Sequence, residues 1–123
     1  MSKLVNILVV DDSEYIRDLL TKVLLSAGHN VIGEAANAEE AIQKYQTLHP
    51  EMVLLDIVLK QTDVAQTGLD ALKGILQFDP QAKIVMVSAL NQQAVINKSF
   101  QLGAKGFIAK PFQPEQLLET VIT

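Results

Sequence analysis

Short apolar runs alternate along this chain with longer stretches in which apolar residues recur every three or four positions, and the alternation repeats five times. Runs too short to be helices, each followed by a helical period, are the pattern of β-α units. Residues 4–10 form a nearly unbroken apolar run, as expected of a central parallel strand covered on both faces. Ile16, Leu19, Leu20, Val23, Leu24 and Ala27 then share one helical face, and Gly28 is placed to stop that helix. A second strand is expected over residues 30–35. The helix after it carries Ala41, Ile42, Tyr45 and Leu48 inward until His49-Pro50 ends it. Residues 52–55 read as a third strand, and Leu69, Leu72, Ile75 and Leu76 mark a third helix closed by Asp79-Pro80. A strand over residues 83–87, a helix over 91–102 stopped by Gly103, and a short strand over 106–109 follow. The last helix starts near Pro114 and turns Leu117, Leu118, Val121 and Ile122 inward.

This order predicts an α/β fold, a doubly wound open parallel sheet with helices on both faces. Ligands of such sheets bind outside the carboxyl ends of the strands, so the residues just after each apolar run carry the functional information. Those positions hold Asp11 and Asp12, then Asp56, Ser88 and Lys110-Pro111. Three carboxylates converging within a few ångströms repel by roughly several kcal/mol at an effective dielectric of about 20, and so shift their pKa values or recruit a cation. An oxygen-only set suits Mg²⁺, which is commonly shared between carboxylates and phosphate oxygens. A carboxylate can attack phosphorus once a metal and a fixed cation neutralise the equatorial oxygens, which makes Asp56 a candidate phosphoacceptor. Lys110 and the Ser88 hydroxyl are the candidates for contacting those oxygens.

Composition narrows the picture. A chain of 123 residues fits one domain spanning 1–123, with no output domain expected beyond it. Ten basic residues, scattered among fourteen acidic ones, give a net charge of −4 and argue against a nucleic-acid-binding face. The absence of cysteine excludes disulfides, thiolate zinc sites and thiol nucleophiles. The first apolar run is broken by Asp11 and Asp12, so it is neither a signal peptide nor a spanning segment, and a cytoplasmic location without membrane insertion is expected.

Four segments in this order, Val9-Val10-Asp11-Asp12-Ser13, Leu54-Leu55-Asp56-Ile57, Val87-Ser88-Ala89 and Ile108-Ala109-Lys110-Pro111-Phe112, resemble the signatures of response-regulator receiver domains, in particular the stand-alone chemotaxis type. Each is weak alone; together, at these strand ends, they are specific. The resemblance implies a flavodoxin-like sheet with strand order 2-1-3-4-5 and a phosphorylation-activated switch of a two-component system. It implies that Asp56 is phosphorylated by a histidine kinase. It further implies that Asp11, Asp12, Asp56 and the Val58 carbonyl bind Mg²⁺, with Mn²⁺ as a substitute, and that Ser88 and Lys110 hold the phosphoryl group. A cis bond between Lys110 and Pro111, and a switch built on Ser88 and Phe107, follow from the same likeness. The implied partner is an output protein such as a flagellar motor component or a downstream phosphotransfer protein, bound by a monomer. Phosphorelay intermediate and phosphate sink are the alternatives. The domain is expected to act on no substrate but its own acyl phosphate, since a magnesium phosphatase would need a second acid two residues after Asp56, and Val58 stands there.

Several of these residues also have plain structural readings. Asp12 or Ser13 would cap the first helix, Ser88 would form a turn, and Phe107 would pack as a core aromatic. His29 and His49 lack ligands at metal-binding spacing, and both read as solvated. The chain departs from the family in two places. Lys60 stands where a proline is usual and Gly68 arrives about four residues late, so residues 60–67 read as an enlarged loop, either a tolerated insertion or a contact element over the site. Val58 and Leu90 are apolar where the family is often polar, which predicts slow loss of the phosphoryl group unless a partner assists it.

Overall fold

The computed structural model describes residues 4–59 and 67–122, so of the loop singled out above only Thr67 lies among the described residues. Among the described residues ten elements alternate: β1 (Asn6–Val10), α1 (Glu14–Ser26), β2 (Asn30–Ala35), α2 (Ala38–Leu48), β3 (Met52–Leu55), α3 (Gly68–Phe78), β4 (Ile84–Ser88), α4 (Gln93–Gln101), β5 (Gly106–Ala109) and α5 (Pro114–Ile122). The strands form one sheet in the order β2-β1-β3-β4-β5, and every pairing is parallel. This is the doubly wound sheet that the hydrophobic pattern predicts.

The inner strands explain the unbroken apolar runs, because each buries both faces. Leu8, Val10, Val53 and Leu55 look toward α2 and α3, where they meet Ala41, Tyr45, Leu72 and Ile75. Ile7, Val9, Met52 and Leu54 look the other way, onto Leu20 and Leu24 of α1 and Leu117 and Val121 of α5. Burying a Leu or Ile side chain contributes about 1.5–3 kcal/mol, so these two layers fix which edge of the sheet each loop leaves from.

Several expectations need correction. Leu4 precedes β1 and is exposed, as are Leu19 and Ala27 of the α1 region and Leu48 at the end of α2. The inward stripe on α1 narrows to Leu20 and Leu24, with Ile16 and Val23 half-buried, because α1 meets the sheet along a single line. α4 begins two residues later than its period suggests and is capped by no side chain. His29 is the clearest reversal: it is 3% exposed, not solvated. Its Nδ1 accepts a 3.1 Å hydrogen bond from the Val5 N–H, a donor that lies just before β1 and has no strand opposite it. His49 is exposed as expected, in a left-handed conformation that ends α2, and stacks on Phe78. Gly28 takes φ +88° between α1 and β2, where a side chain would be strained.

Candidate functional site

Three backbone hydrogen bonds carry the sheet one residue past its strands. Asp11 N–H donates to Ala35 carbonyl, Asp56 N–H to Val10 carbonyl and Lys110 N–H to Ser88 carbonyl, each at 3.0 Å. The ladder therefore fixes the positions from which the two aspartates and the lysine project. Sequence periodicity alone placed them at strand ends; the register brings them together.

Lys110 sits at the centre. Its Nζ donates to Asp11 Oδ2 at 2.6 Å and to Asp56 Oδ2 at 2.9 Å. The second oxygen of each carboxylate is also engaged, Asp11 Oδ1 by Ser13 N–H at 2.9 Å and Asp56 Oδ1 by Val58 N–H at 3.2 Å. Asp11 and Asp56 are buried and Asp12 is half-buried, and one carboxylate oxygen from each lies within 4.8 Å of the others. Burial pushes the Asp11 carboxyl up from its ordinary range, against the opposing effects of Lys110 and the Ser13 amide. Burial also pulls the Lys110 ammonium down, but its bonds to Asp11 and Asp56 outweigh this and hold it above its usual value. Among the described residues the Lys110 ammonium bonds two of the three carboxylates, and this set of hard oxygen donors fits a divalent cation.

Ser88 ends β4 fully buried, with its hydroxyl accepting the Leu90 N–H at 3.2 Å. It pairs with Ala109 across the ladder, so the residue that follows its partner is Lys110. The Lys110-Pro111 bond is cis. Phe107 stands further back in β5, paired with Met86 and half-buried against the α2–α3 core, and so is not at the carboxylate edge. Val58 and Leu90 are about a third exposed, at 36% and 37%, and give the site apolar neighbours.

Two further residues belong to the site. A Cβ on Gly68 would lie 1.9 Å from the Asp56 carbonyl oxygen, and Gly68 N–H donates to Ile57 carbonyl at 2.6 Å. Only glycine lets α3 start this close to the acceptor, so the late glycine fills a structural place that the longer loop does not abolish. Arg17, unmarked by any motif above, donates from Nη1 to the Asp11 carbonyl at 2.6 Å and from Nε to Glu34 Oε1 at 2.9 Å. A signal was available: a basic residue near a helix N-terminus opposes the helix dipole and needs a specific partner.

A parallel five-stranded sheet carrying acids, a serine and a lysine at one edge defines a class, and the family model for the response regulator receiver domain matches residues 7–122. The chain belongs to that family. It is 42% identical over 115 residues to the chemotaxis protein CheY of Thermotoga maritima, covering 94% of this chain and 92% of that one. It is 41% identical, with the same coverage, to the CheY of Bacillus subtilis. Among solved structures it is similar to a chain of the CheX-CheY-BeF3-Mg+2 complex from Borrelia burgdorferi. That match has a TM-score of 0.89 and 35% identity, and covers 95% of this chain and 86% of the other. The chain is therefore a two-component receiver domain with chemotaxis regulators as relatives. No helix among the described residues is long and apolar enough to cross a membrane.

Proposed function

We propose that this receiver is a chemotaxis switch in which Asp56 takes a phosphoryl group from a histidine kinase, with Mg²⁺ held by Asp11, Asp12, Asp56 and the Val58 carbonyl. The observation that carries this reading is the Lys110 ammonium bonded at once to Asp11 and Asp56 inside a three-carboxylate cluster. Mg²⁺, when bound, supplies charge neutralisation for the phosphoryl oxygens. The rest is done by the chain. An Asp56 carboxylate oxygen attacks phosphorus in line, the P–N bond to the kinase imidazole breaks, and that imidazole leaves with its electron pair and takes up a proton. Lys110, displaced from the carboxylate oxygens it now occupies, contacts the phosphoryl group together with the Ser88 hydroxyl. The domain turns over no external substrate.

Added charge of about −2 at Asp56 draws Ser88 and Lys110 inward and repacks α4, β5 and Phe107, changing the face offered to an output protein. The Borrelia relative was solved with CheX, BeF3 and Mg+2, which supports a metal at this edge and a protein partner. A working place in the cytoplasm follows from the kinase donor. The decisive experiment is labelling with acetyl phosphate and Mg²⁺. Wild type should incorporate one phosphoryl group and Asp56→Asn none; equal labelling, or a wild type that resists labelling, rejects the assignment. Because Val58 and Leu90 are apolar, the acyl phosphate should decay slowly, and Val58→Asn should speed its loss; equal decay rates would sink that part.

A further inference from the structure

Arg17 is held in two directions. Its side chain is 16% exposed and is fixed by Glu34 from β2 and by the Asp11 carbonyl at the end of β1. Glu34 is aimed at it by an irregularity in the sheet. Ile7 pairs with Val31, but Leu8 pairs with Gly33, so the register slips by one residue between them. In a regular strand Val31 and Glu34, three residues apart, would point to opposite faces. The slip puts both on the α1 side, since Val31 packs with the α1–α5 core and Glu34 pairs with Val9 of that core. A one-residue bulge that re-aims a side chain beside a functional edge is a recurring device of sheets.

We infer that Glu34 and Arg17 form a positioning pair that fixes the backbone of the β1–α1 turn, so that Asp11 and Asp12 present their carboxylates to a divalent cation in a preset geometry. With Arg17 in place, the Asp11 N–H, carbonyl and both carboxylate oxygens are all bonded, to Ala35, Arg17, Ser13 and Lys110 respectively. Arg17 ties the turn to β2 through its side chain and Glu34, as Lys110 ties Asp11 to the end of β5. Its charge is paired with Glu34, so it contributes direction without adding much net positive potential to a cation site. Supports one shell out from metal ligands commonly change metal affinity by about tenfold or more when removed.

This inference rests on the proposed metal role, and its test separates the two. Calorimetric titration of Mg²⁺ into wild type, Arg17→Ala, Arg17→Lys, Glu34→Ala and the Arg17→Ala/Glu34→Ala double variant is the first arm. Simple charge repulsion predicts that deleting a cation beside the site tightens Mg²⁺ binding. A positioning role predicts the opposite sign, a weakening of about tenfold in Arg17→Ala. Arg17→Lys, which keeps the charge but lacks the two-direction fork, should fall with Arg17→Ala and substitutes for it if Arg17→Ala does not fold. Glu34→Ala should weaken binding alone and add nothing in the Arg17→Ala background. The second arm needs no metal: the Ser13 amide, bonded to Asp11 Oδ1, should exchange its hydrogen faster in Arg17→Ala. Unchanged or tighter Mg²⁺ binding, additive effects of the two alanines, or unchanged Ser13 exchange would overturn the inference. Should wild type bind no Mg²⁺, the metal reading falls, and the exchange arm alone decides whether the pair fixes the turn.

Discussion

α3 follows the strand that delivers Asp56 and α4 the strand that delivers Ser88, yet the two helices are held in opposite ways. α3 buries Gly68, Ala71, Leu72 and Ile75 and opens with a reciprocal cap, Leu69 N–H donating to the Thr67 hydroxyl and Thr67 N–H to the Asp70 carboxylate. α4 buries only Ser99, whose hydroxyl donates back to the Val95 carbonyl, and the side chain of Gln92, the residue before its first turn, makes no capping bond. Phe100 on α4 is 46% exposed. A helix with many buried anchors opens only with global unfolding, whereas one with few opens locally and at low free energy. The acceptor is thus backed by a fixed element, and the serine that would respond to it is followed by a loosely held one. A switch going from 1:99 to 99:1 needs about 5.5 kcal/mol of differential stabilisation, and a shallowly docked helix leaves that demand within reach of a few charge-assisted contacts at the site.

The largest effect separating the two helices should come from their buried faces. Leu72→Ala removes a fully buried side chain of α3 and should cost about 2–5 kcal/mol in denaturant unfolding. Phe100→Ala, on the outer face of α4, should stay within about 0.5 kcal/mol despite deleting a larger side chain. Equal losses would mean that α4 is as firmly docked as α3, and the comparison would fail.

How far this asymmetry was legible differs between fold and site. The strands read clearly because β1 and β3 bury both faces, leaving apolar runs in which Asn6, at the start of β1, is the one polar residue. Helix faces read less well: Leu19 continues the α1 stripe in sequence but falls at its rim, since period gives spacing and not the line of contact. The late start of α4 was hidden for a related reason, because a missing cap leaves no mark in an apolar pattern. His29 was misread because its burial goes with a hydrogen bond from the Val5 amide at the end of the sheet, which spacing along the chain does not reveal. At the site, Asp11, Asp12, Asp56, Ser88 and Lys110 were visible as strand-end residues. Arg17 was missed, since its one signal, a basic residue in the first turn of α1, names no partner, and Glu34 is aimed at it by a register slip that the apolar pattern does not reveal.

A middle-sized effect should come from the α3 cap. Thr67→Ala breaks the bond from Leu69 N–H and should lower stability by about 1 kcal/mol. Gln92→Ala, at the matching position of α4, removes no capping bond and should be nearly neutral. A cost at Gln92 equal to that at Thr67 would show that α4's first turn is already anchored.

The smallest effect is the most informative about the switch, because it adds what α4 lacks. Gln92 has the extended backbone of a capping residue, φ −62° and ψ 151°, but the wrong side chain. Gln92→Asp places a short acceptor where it can reach a free N–H of the first turn, and a negative charge at the positive end of the helix dipole. Stability should rise by up to about 1 kcal/mol, and the amides of residues 94–96 should exchange more slowly, while those of α3 do not change. If α4 moves when Asp56 is phosphorylated, this variant should also favour whichever state keeps the first turn intact, so its stabilisation should differ between protein treated with acetyl phosphate and Mg²⁺ and untreated protein. A gain identical in both would mean that α4's first turn is the same in the two states, and that the repacking lies elsewhere, in β5 or the turn after Ser88.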